Sequence, residues 1–85
     1  EAVEMAAEVY EGRADLRTAQ THTIHYGWVV DAGRRIDEAL FLLMRSPASY
    51  TGEDVVEIQC HGGTVSTQEI LRLLLRKGAR IGGCR

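Results

Sequence analysis

The chain has 85 residues, of which ten are basic and twelve acidic, so its formal net charge is −2. Its length allows one domain or part of one, and 45% hydrophobic with 26% charged residues is typical of a globular protein. The net acidity argues against independent binding to a nucleic-acid backbone, because the basic residues of LRLLLRKGAR alternate with leucines and fit a solvated helix face.

Residues 1–12, EAVEMAAEVYEG, predict a helix because Ala, Glu and Met favour helical backbone. Gly12 stands where a helix commonly ends. The next nine residues, RADLRTAQT, are polar and indicate a loop. The apolar positions at helical spacing in the first segment are Ala2, Met5, Ala6, Val9 and Tyr10.

A hairpin is predicted in the centre of the chain. Residues 22–30, HTIHYGWVV, are β-branched and aromatic and indicate a strand. Residues 31–35, DAGRR, supply the chemistry of a turn. Residues 36–45, IDEALFLLMR, are expected to pair back as a second strand, although Ala, Leu and Met also fit a helix. Residues 46–54, SPASYTGED, contain the only proline and predict an ordered loop.

Residues 54–61, DVVEIQCH, show the strongest strand pattern. Side chains alternate between the two faces of a strand. One face is therefore predicted to be apolar, with Val56, Ile58 and Cys60. The other is largely polar, with Val55, Glu57, Gln59 and His61.

The pair Gly62-Gly63 is expected to end this strand, and a helix is predicted over residues 66–78. Ser66 and Glu69 have the spacing of a capping box, and Gly78 stands at the stop. Residues 79–85, ARIGGCR, contain a plausible short strand. The predicted buried stripe of the helix is Ile70, Leu71, Leu74 and Leu75. These elements predict an α+β fold, with a small mixed or antiparallel sheet packed against two helices.

Both ends of the chain have the character of cut ends, since Glu1 is neither an initiator Met nor a helix-capping residue. We therefore expect a fragment of a larger protein. Cys60 and Cys84 do not make a disulfide framework. The sequence shows no signal peptide and no apolar run long enough to span a bilayer, so we expect a cytoplasmic protein without membrane contact.

The segment TGEDVVEIQCHGG, residues 51–63, carries the candidate chemistry. A zinc site is disfavoured, because His22 and His25 lie three apart in a predicted strand and Cys60 and His61 are adjacent, so the side chains of each pair diverge. The same divergence disfavours a thiolate–imidazolium pair, and Cys60 shares the apolar face, where a cysteine is usually a small hydrophobe. No catalytic and no metal-binding residue is predicted.

Glu57 leaves two interpretations open. Its face could simply meet solvent, as one side of many antiparallel sheets does. Alternatively, Glu57 could bind a small molecule, with Gln59 and His61 beside it, while Gly62-Gly63 lets a ligand approach the backbone. The glycine pair is not a P-loop, because the Lys-Ser/Thr that should follow is missing.

SYTGEDVVEIQCHGG, together with THTIHYGWVVD and IDEALFLLMR upstream, closely resembles the N-terminal domain of the tRNA modification GTPase family called MnmE or TrmE. The resemblance covers nearly the whole chain and departs only at GGCR. It implies that residues 1–85 are part of the folate-binding and dimerisation domain, without the GTPase and helical domains. It also implies a fold similar to the tetrahydrofolate-binding unit of glycine-cleavage T-proteins.

The resemblance further implies a homodimer that binds 5-formyl-tetrahydrofolate near the dimer interface. The whole protein would hydrolyse GTP with Mg²⁺ and K⁺ in the absent GTPase domain. With a flavoprotein partner, it would install a carboxymethylaminomethyl-type group on the wobble uridine of tRNA. This chain has no phosphate-binding motif, so we expect no enzyme activity from it alone.

Among the site residues, the resemblance makes Glu57 the contact to the pterin, and His61, Gly62 and Gly63 weaker candidates for the pocket wall. The family's other folate contacts, an Arg in the first strand and a basic residue further along, lie in segments that this chain lacks. Glu53 and Asp54 are expected to order their loop by bonds to backbone N–H groups. The alternatives are a dimerisation module without significant folate binding and, less favoured, a free-standing one-carbon transferase.

Overall fold

A computed structural model describes residues 2–46 and 53–79. Four strands form one antiparallel sheet in the order β1-β2-β3-β4. The elements, in chain order, are α1 (Ala2–Glu8), β1 (Tyr10–Gly12), β2 (Thr23–Asp31), β3 (Arg34–Met44), β4 (Val55–Cys60) and α2 (Thr64–Arg76). The predicted α+β class is confirmed, and the described sheet is antiparallel throughout.

Both helices pack on one side of the sheet, which we call the core face. Ala6 of α1 and Leu73 of α2 join the same buried cluster as Phe41 and Leu43 of β3. The other side, the outer face, is covered by neither helix. By the strand register, the outer face carries Glu11, Ile24, Tyr26, Trp28, Glu38, Leu40, Leu42, Met44, Val55, Glu57 and Gln59.

The first helix is shorter than predicted, because it ends at Glu8 and the chain continues as the edge strand β1. Val9 is fully buried, and the Tyr10 ring packs edge-on against Phe41 with 4.9 Å between the ring centroids. Pairing with β2 satisfies backbone groups and partly buries Tyr10, so tertiary contacts override the helix propensity of this segment. The prediction that the helix ends at Gly12 is therefore wrong.

The central hairpin is confirmed, and its second segment is a strand rather than a helix. Ala32 and Gly33 form a two-residue loop between the paired Asp31 and Arg34, with φ of 51° and 85°. Positive φ at both loop residues is the signature of a type I′ turn, whose twist matches that of the flanking strands.

The connection between β1 and β2 is a loop, as predicted, and Arg45 holds it. The Arg45 guanidinium donates to the carbonyl oxygens of Ala19, Leu16 and Arg17 at 2.7, 2.9 and 3.0 Å. Leu16 also buries its side chain in the core. After β3, the Ser46 N–H donates to Asp54 Oδ1 at 2.6 Å, which confirms the expected role of Asp54. Most of the predicted 46–54 loop lies outside the described residues, as does nearly all of the short strand predicted in 79–85.

The predicted capping box of the second helix is wrong. The helix begins earlier, at Thr64, with Gly63 as an N-cap residue that provides no side-chain bond, so Ser66 lies inside the first turn. Glu69 instead pairs with Arg34 at the tip of the hairpin. The predicted stop is confirmed, because Gly78 follows the C-cap residue with φ of 95°.

The buried stripe of α2 is narrower than predicted. Ile70 and Leu73 are buried, and Leu74 packs partly against the core. Leu71 and Leu75, which were predicted to be buried, are 40% and 52% exposed. A helix that lies on the open surface of one sheet contacts it along a narrow stripe, so the neighbouring leucines face solvent.

Candidate functional site

Glu57 lies in the middle of β4 and projects from the outer face. Its partner across the ladder is Leu42 of β3. The residues on either side of it in sequence, Val56 and Ile58, pack against the core, as Cys60 does. The predicted division of β4 into an apolar and a largely polar face is therefore confirmed, and it places the Glu57 carboxylate on the side that the helices leave uncovered.

The Glu57 carboxylate is held by its neighbour on the same face. Gln59 Nε2 donates to Glu57 Oε2 at 3.1 Å. Glu57 is partly buried and Gln59 is exposed. The carboxylate thus keeps a second oxygen and further lone pairs for donors that approach from solvent.

An apolar surface adjoins this polar pair on the outer face. Leu42 is paired with Glu57, and Leu40 is paired with Gln59. On the far side of these leucines lie Ile24 and Tyr26 of β2, which are 62% and 59% exposed. A carboxylate and an amide beside uncovered aliphatic and aromatic side chains are the ingredients of a site for a flat polar heterocycle.

The structure does not bring His61 to Glu57 on the strand. β4 ends at Cys60, and the exposed His61 lies just beyond it, where its backbone N–H donates to the Glu38 carbonyl at 3.1 Å. None of the described contacts joins the two residues.

Gly62 and Gly63 occupy different environments. The Gly62 N–H donates to Asp37 Oδ2, and a side chain at Gly62 would collide with the same carboxylate. A β-carbon at Gly63 would meet no atom within 4 Å, so the backbone there is open. Of the two glycines, only Gly63 offers the close approach of a ligand that the sequence suggested.

Asp37 is the residue in this region that sequence reasoning missed. It lies on β3, accepts from the Glu38 N–H with Oδ1 at 2.9 Å, and accepts from Gly62 with Oδ2. Its carboxylate therefore fixes the turn between β4 and α2. An acidic residue just before the apolar run ALFLLM was the available signal, but the strand register was needed to place it opposite the glycines.

Cys60 lies on the core face, as predicted. It is partly buried on the core face. Burial raises the pKa of the Cys60 thiol, and the nearby Asp37 carboxylate raises it further. Both influences oppose the thiolate that nucleophilic chemistry requires.

The rings of His22 and His25 are hydrogen-bonded to threonine hydroxyl groups. The His22 ring is 2.8 Å from Thr21 Oγ1, and the His25 ring is 2.8 Å from Thr23 Oγ1. Within residues 2–46 and 53–79, no group of three His, Cys, Asp or Glu side chains could hold a metal ion. A shallow cleft at the β1 edge, lined by Tyr10, Tyr26 and their neighbours, does not include Glu57.

The sequence matches the family described as "GTP-binding protein TrmE N-terminus" over residues 1–83. The chain belongs to the TrmE N-terminal family. Proteins named "tRNA modification GTPase MnmE" are similar to it over 95% of its length. Those of Lactobacillus acidophilus, Lactobacillus helveticus and Flavobacterium johnsoniae are 51%, 52% and 47% identical over 83 residues.

The chain spans 18% of the length of these curated TrmE-type relatives. The match begins at the first residue and includes Glu57, Gln59 and the glycine pair. Among the described residues of this TrmE N-terminal chain, no helix is long and apolar enough to cross a membrane.

Proposed function

We propose that this chain is the cofactor-binding part of a tRNA modification GTPase, and that Glu57 anchors the pterin ring of 5-formyl-tetrahydrofolate. One observation carries the proposal. The Glu57 carboxylate stands on the uncovered face of the sheet, beside exposed apolar side chains, in a chain of the TrmE N-terminal family. A fold like the tetrahydrofolate-binding unit of glycine-cleavage T-proteins is part of the proposal.

The chemistry of the ring suits a carboxylate. A pterin presents a ring N–H and an exocyclic amino group side by side, and the two oxygens of Glu57 can accept both in a bidentate, charge-assisted arrangement. The ring face would lie against Leu40 and Leu42, which border the polar pair. In this arrangement Gly63 is a more remote part of the wall, and His61 and Gly62 contribute through the turn that leads to it.

Calorimetric titration of the full-length protein with 5-formyl-tetrahydrofolate tests the anchor. A hydrogen bond to a charged group contributes about 1.5–3 kcal/mol, so Glu57→Ala is expected to weaken binding at least about tenfold. Glu57→Gln should also weaken binding, because its amide presents a donor where the ring presents donors. The matched control is Glu8→Ala, which removes an exposed glutamate from α1, on the other side of the sheet. Equal affinity of Glu57→Ala and wild type would rule out the anchor.

We also propose that the chain homodimerises through its outer face. Ile24 and Tyr26 expose more than half of their surface there, next to the partly exposed Trp28 and Leu42. A second copy would cover these side chains and bring any ligand held by Glu57 near the interface. Light scattering after size exclusion should give twice the protomer mass, and Ile24→Lys should give a monomer. A monomeric wild type would refute the dimer.

The same outer face supports an alternative function, a dimerisation module without significant folate binding. In that case the carboxylate of Glu57 would be a polar residue at the rim of the interface. The two functions separate in one pair of measurements, because a dimer that gives no heat with 5-formyl-tetrahydrofolate supports the module alone.

The remaining activities belong to the whole protein and are proposed by analogy with the relatives' name. They are GTP hydrolysis with Mg²⁺ and K⁺, action with a flavoprotein partner, and modification of the wobble uridine of tRNA in the cytoplasm. Residues 1–85 would provide the cofactor-binding site and the dimer interface, and other domains would carry the GTPase activity. A phosphate-release assay on the 85-residue chain should therefore give the background rate.

A further inference from the structure

Gln59 and Glu57 form one continuous hydrogen-bonding row. Gln59 Nε2 donates one of its two N–H groups to Glu57 Oε2. A primary amide has a second N–H, and each carboxylate oxygen has two lone pairs, so both side chains can bind an additional partner while they bind each other. Along β4, the pair thus presents two acceptors followed by a donor.

We propose that Gln59 recognises the 4-oxo group of a 2-amino-4-oxopteridine whose amino group and ring N–H are bound by Glu57. The inference rests on the proposed cofactor function and specifies the ligand edge that the site selects. The 2-amino group, the adjacent ring N–H and the 4-oxo group form a row of two donors and one acceptor. Each of them meets its complement in Glu57 Oε1, Glu57 Oε2 and the second N–H of Gln59.

The neighbouring strand β3 provides an apolar surface next to Glu57 and Gln59. Leu42 is paired with Glu57 and Leu40 with Gln59, so each polar residue has a leucine directly beside it. A planar bicyclic ring lying on these residues would present its edge to β4, where few but matched polar groups fix its orientation.

The geometry makes a prediction about selectivity. Replacing the 4-oxo group by a 4-amino group turns an acceptor into a donor, which would face the donor of Gln59. Folic acid and its 4-amino analogue, aminopterin, differ at this group and at the adjacent ring nitrogen, which carries a hydrogen in folic acid and none in aminopterin. The site should therefore prefer folic acid, with one part of the preference due to Glu57, which binds the ring N–H, and the other part due to Gln59.

The test is calorimetric titration of the full-length protein with each of the two compounds, for wild type, Gln59→Met and Glu57→Ala. Gln59→Met keeps the length of the side chain and removes the donor. This substitution is expected to weaken the binding of folic acid about three- to tenfold, which corresponds to the loss of one neutral hydrogen bond. The affinity for aminopterin is expected to change by less than about twofold. The matched control is Gln68→Met on α2, far from the outer face, which should leave both affinities unchanged.

The outcomes separate the two proposals. If Glu57→Ala weakens binding but Gln59→Met leaves the ratio of the two affinities at its wild-type value, the role of Gln59 is refuted and the anchor stands. If wild type binds neither compound, the role of Gln59 is refuted and the anchor is judged by its own titration with 5-formyl-tetrahydrofolate. If Glu57→Ala binds as wild type does, both proposals fall. Should Gln59→Met not fold, Gln59→Glu serves instead, because an acceptor at this position should shift the preference toward aminopterin.

Discussion

Removing the carboxylate of Asp37 should loosen the turn that joins β4 to α2. This carboxylate accepts two backbone N–H groups, those of Glu38 and Gly62, one with each oxygen. A hydrogen bond to a charged group contributes about 1.5–3 kcal/mol, and the partly exposed site favours the lower end. We therefore expect Asp37→Ala to reduce the free energy of unfolding by about 2–3 kcal/mol, and Asp37→Asn, which keeps one acceptor, by about half as much.

Urea unfolding of the 85-residue chain, followed by circular dichroism, measures this loss as a lower midpoint at constant slope. Asp15→Ala is the matched control. Asp15 accepts one exposed N–H, that of Arg17, at 3.1 Å, and its loss should cost less than about 1 kcal/mol. A variant Asp37→Ala that is as stable as Asp15→Ala would show that the carboxylate does not hold the turn.

Three further predictions follow from single positions. Gly27→Ala should destabilise by about 1–3 kcal/mol in urea melts, because its β-carbon would lie 2.6 Å from the Glu11 carbonyl oxygen and 2.6 Å from the Tyr10 ring; a neutral result would contradict that packing. Ala32→Asn should stabilise by about 0.5–1 kcal/mol, because asparagine tolerates φ of 51° better than alanine does, and no rise in the melting midpoint would count against the turn type. Alkylation of Cys60 by iodoacetamide should reach half its maximal rate at a higher pH in the folded chain than in the urea-unfolded chain, because the folded-state pKa of the thiol is raised. For the same reason, the free energy of unfolding should fall as the pH rises past the unfolded-state pKa of about 8.5. Identical pH profiles of alkylation for the folded and unfolded chains would contradict the burial of Cys60.

The strand β4 could be predicted from sequence because its information is local. Alternation over six residues separates Glu57 from Val56 and Ile58 without any knowledge of the partner strand. The resemblance to a known family then singled out Glu57 from its neighbours on the same face. Tertiary pairing was not needed for either step.

Errors arose where long-range contacts decide the structure. The helix propensity of EAVEMAAEVYEG extends to residue 12, but Tyr10–Gly12 form a strand because they pair with β2. Helical periodicity predicted that Leu71 is buried, but the position of the sheet buries Leu73 instead. The predicted capping box at Ser66 does not form, because the helix starts earlier, at Thr64, just after the turn whose Gly62 N–H is bound by Asp37.

The candidate site shows the same limit. The sequence placed Gln59 on the face of Glu57, but only the coordinates give their hydrogen bond. Asp37 acts through register, since its partner Gly62 is 25 positions away in sequence. The apolar surface formed by Leu40 and Leu42 likewise depends on which residue of β3 is paired with which residue of β4.

Arg45 binds three carbonyl oxygens at once, so its role depends on the shape of the guanidinium and not only on its charge. A planar guanidinium directs several N–H groups in fixed directions, whereas a lysine ammonium is a compact group on a flexible stem. Arg45→Lys would keep the formal charge and still release some of the backbone of residues 16–19 to solvent. The loop between β1 and β2 would then be cleaved by protease more readily than in the wild type, where Arg45 holds its backbone.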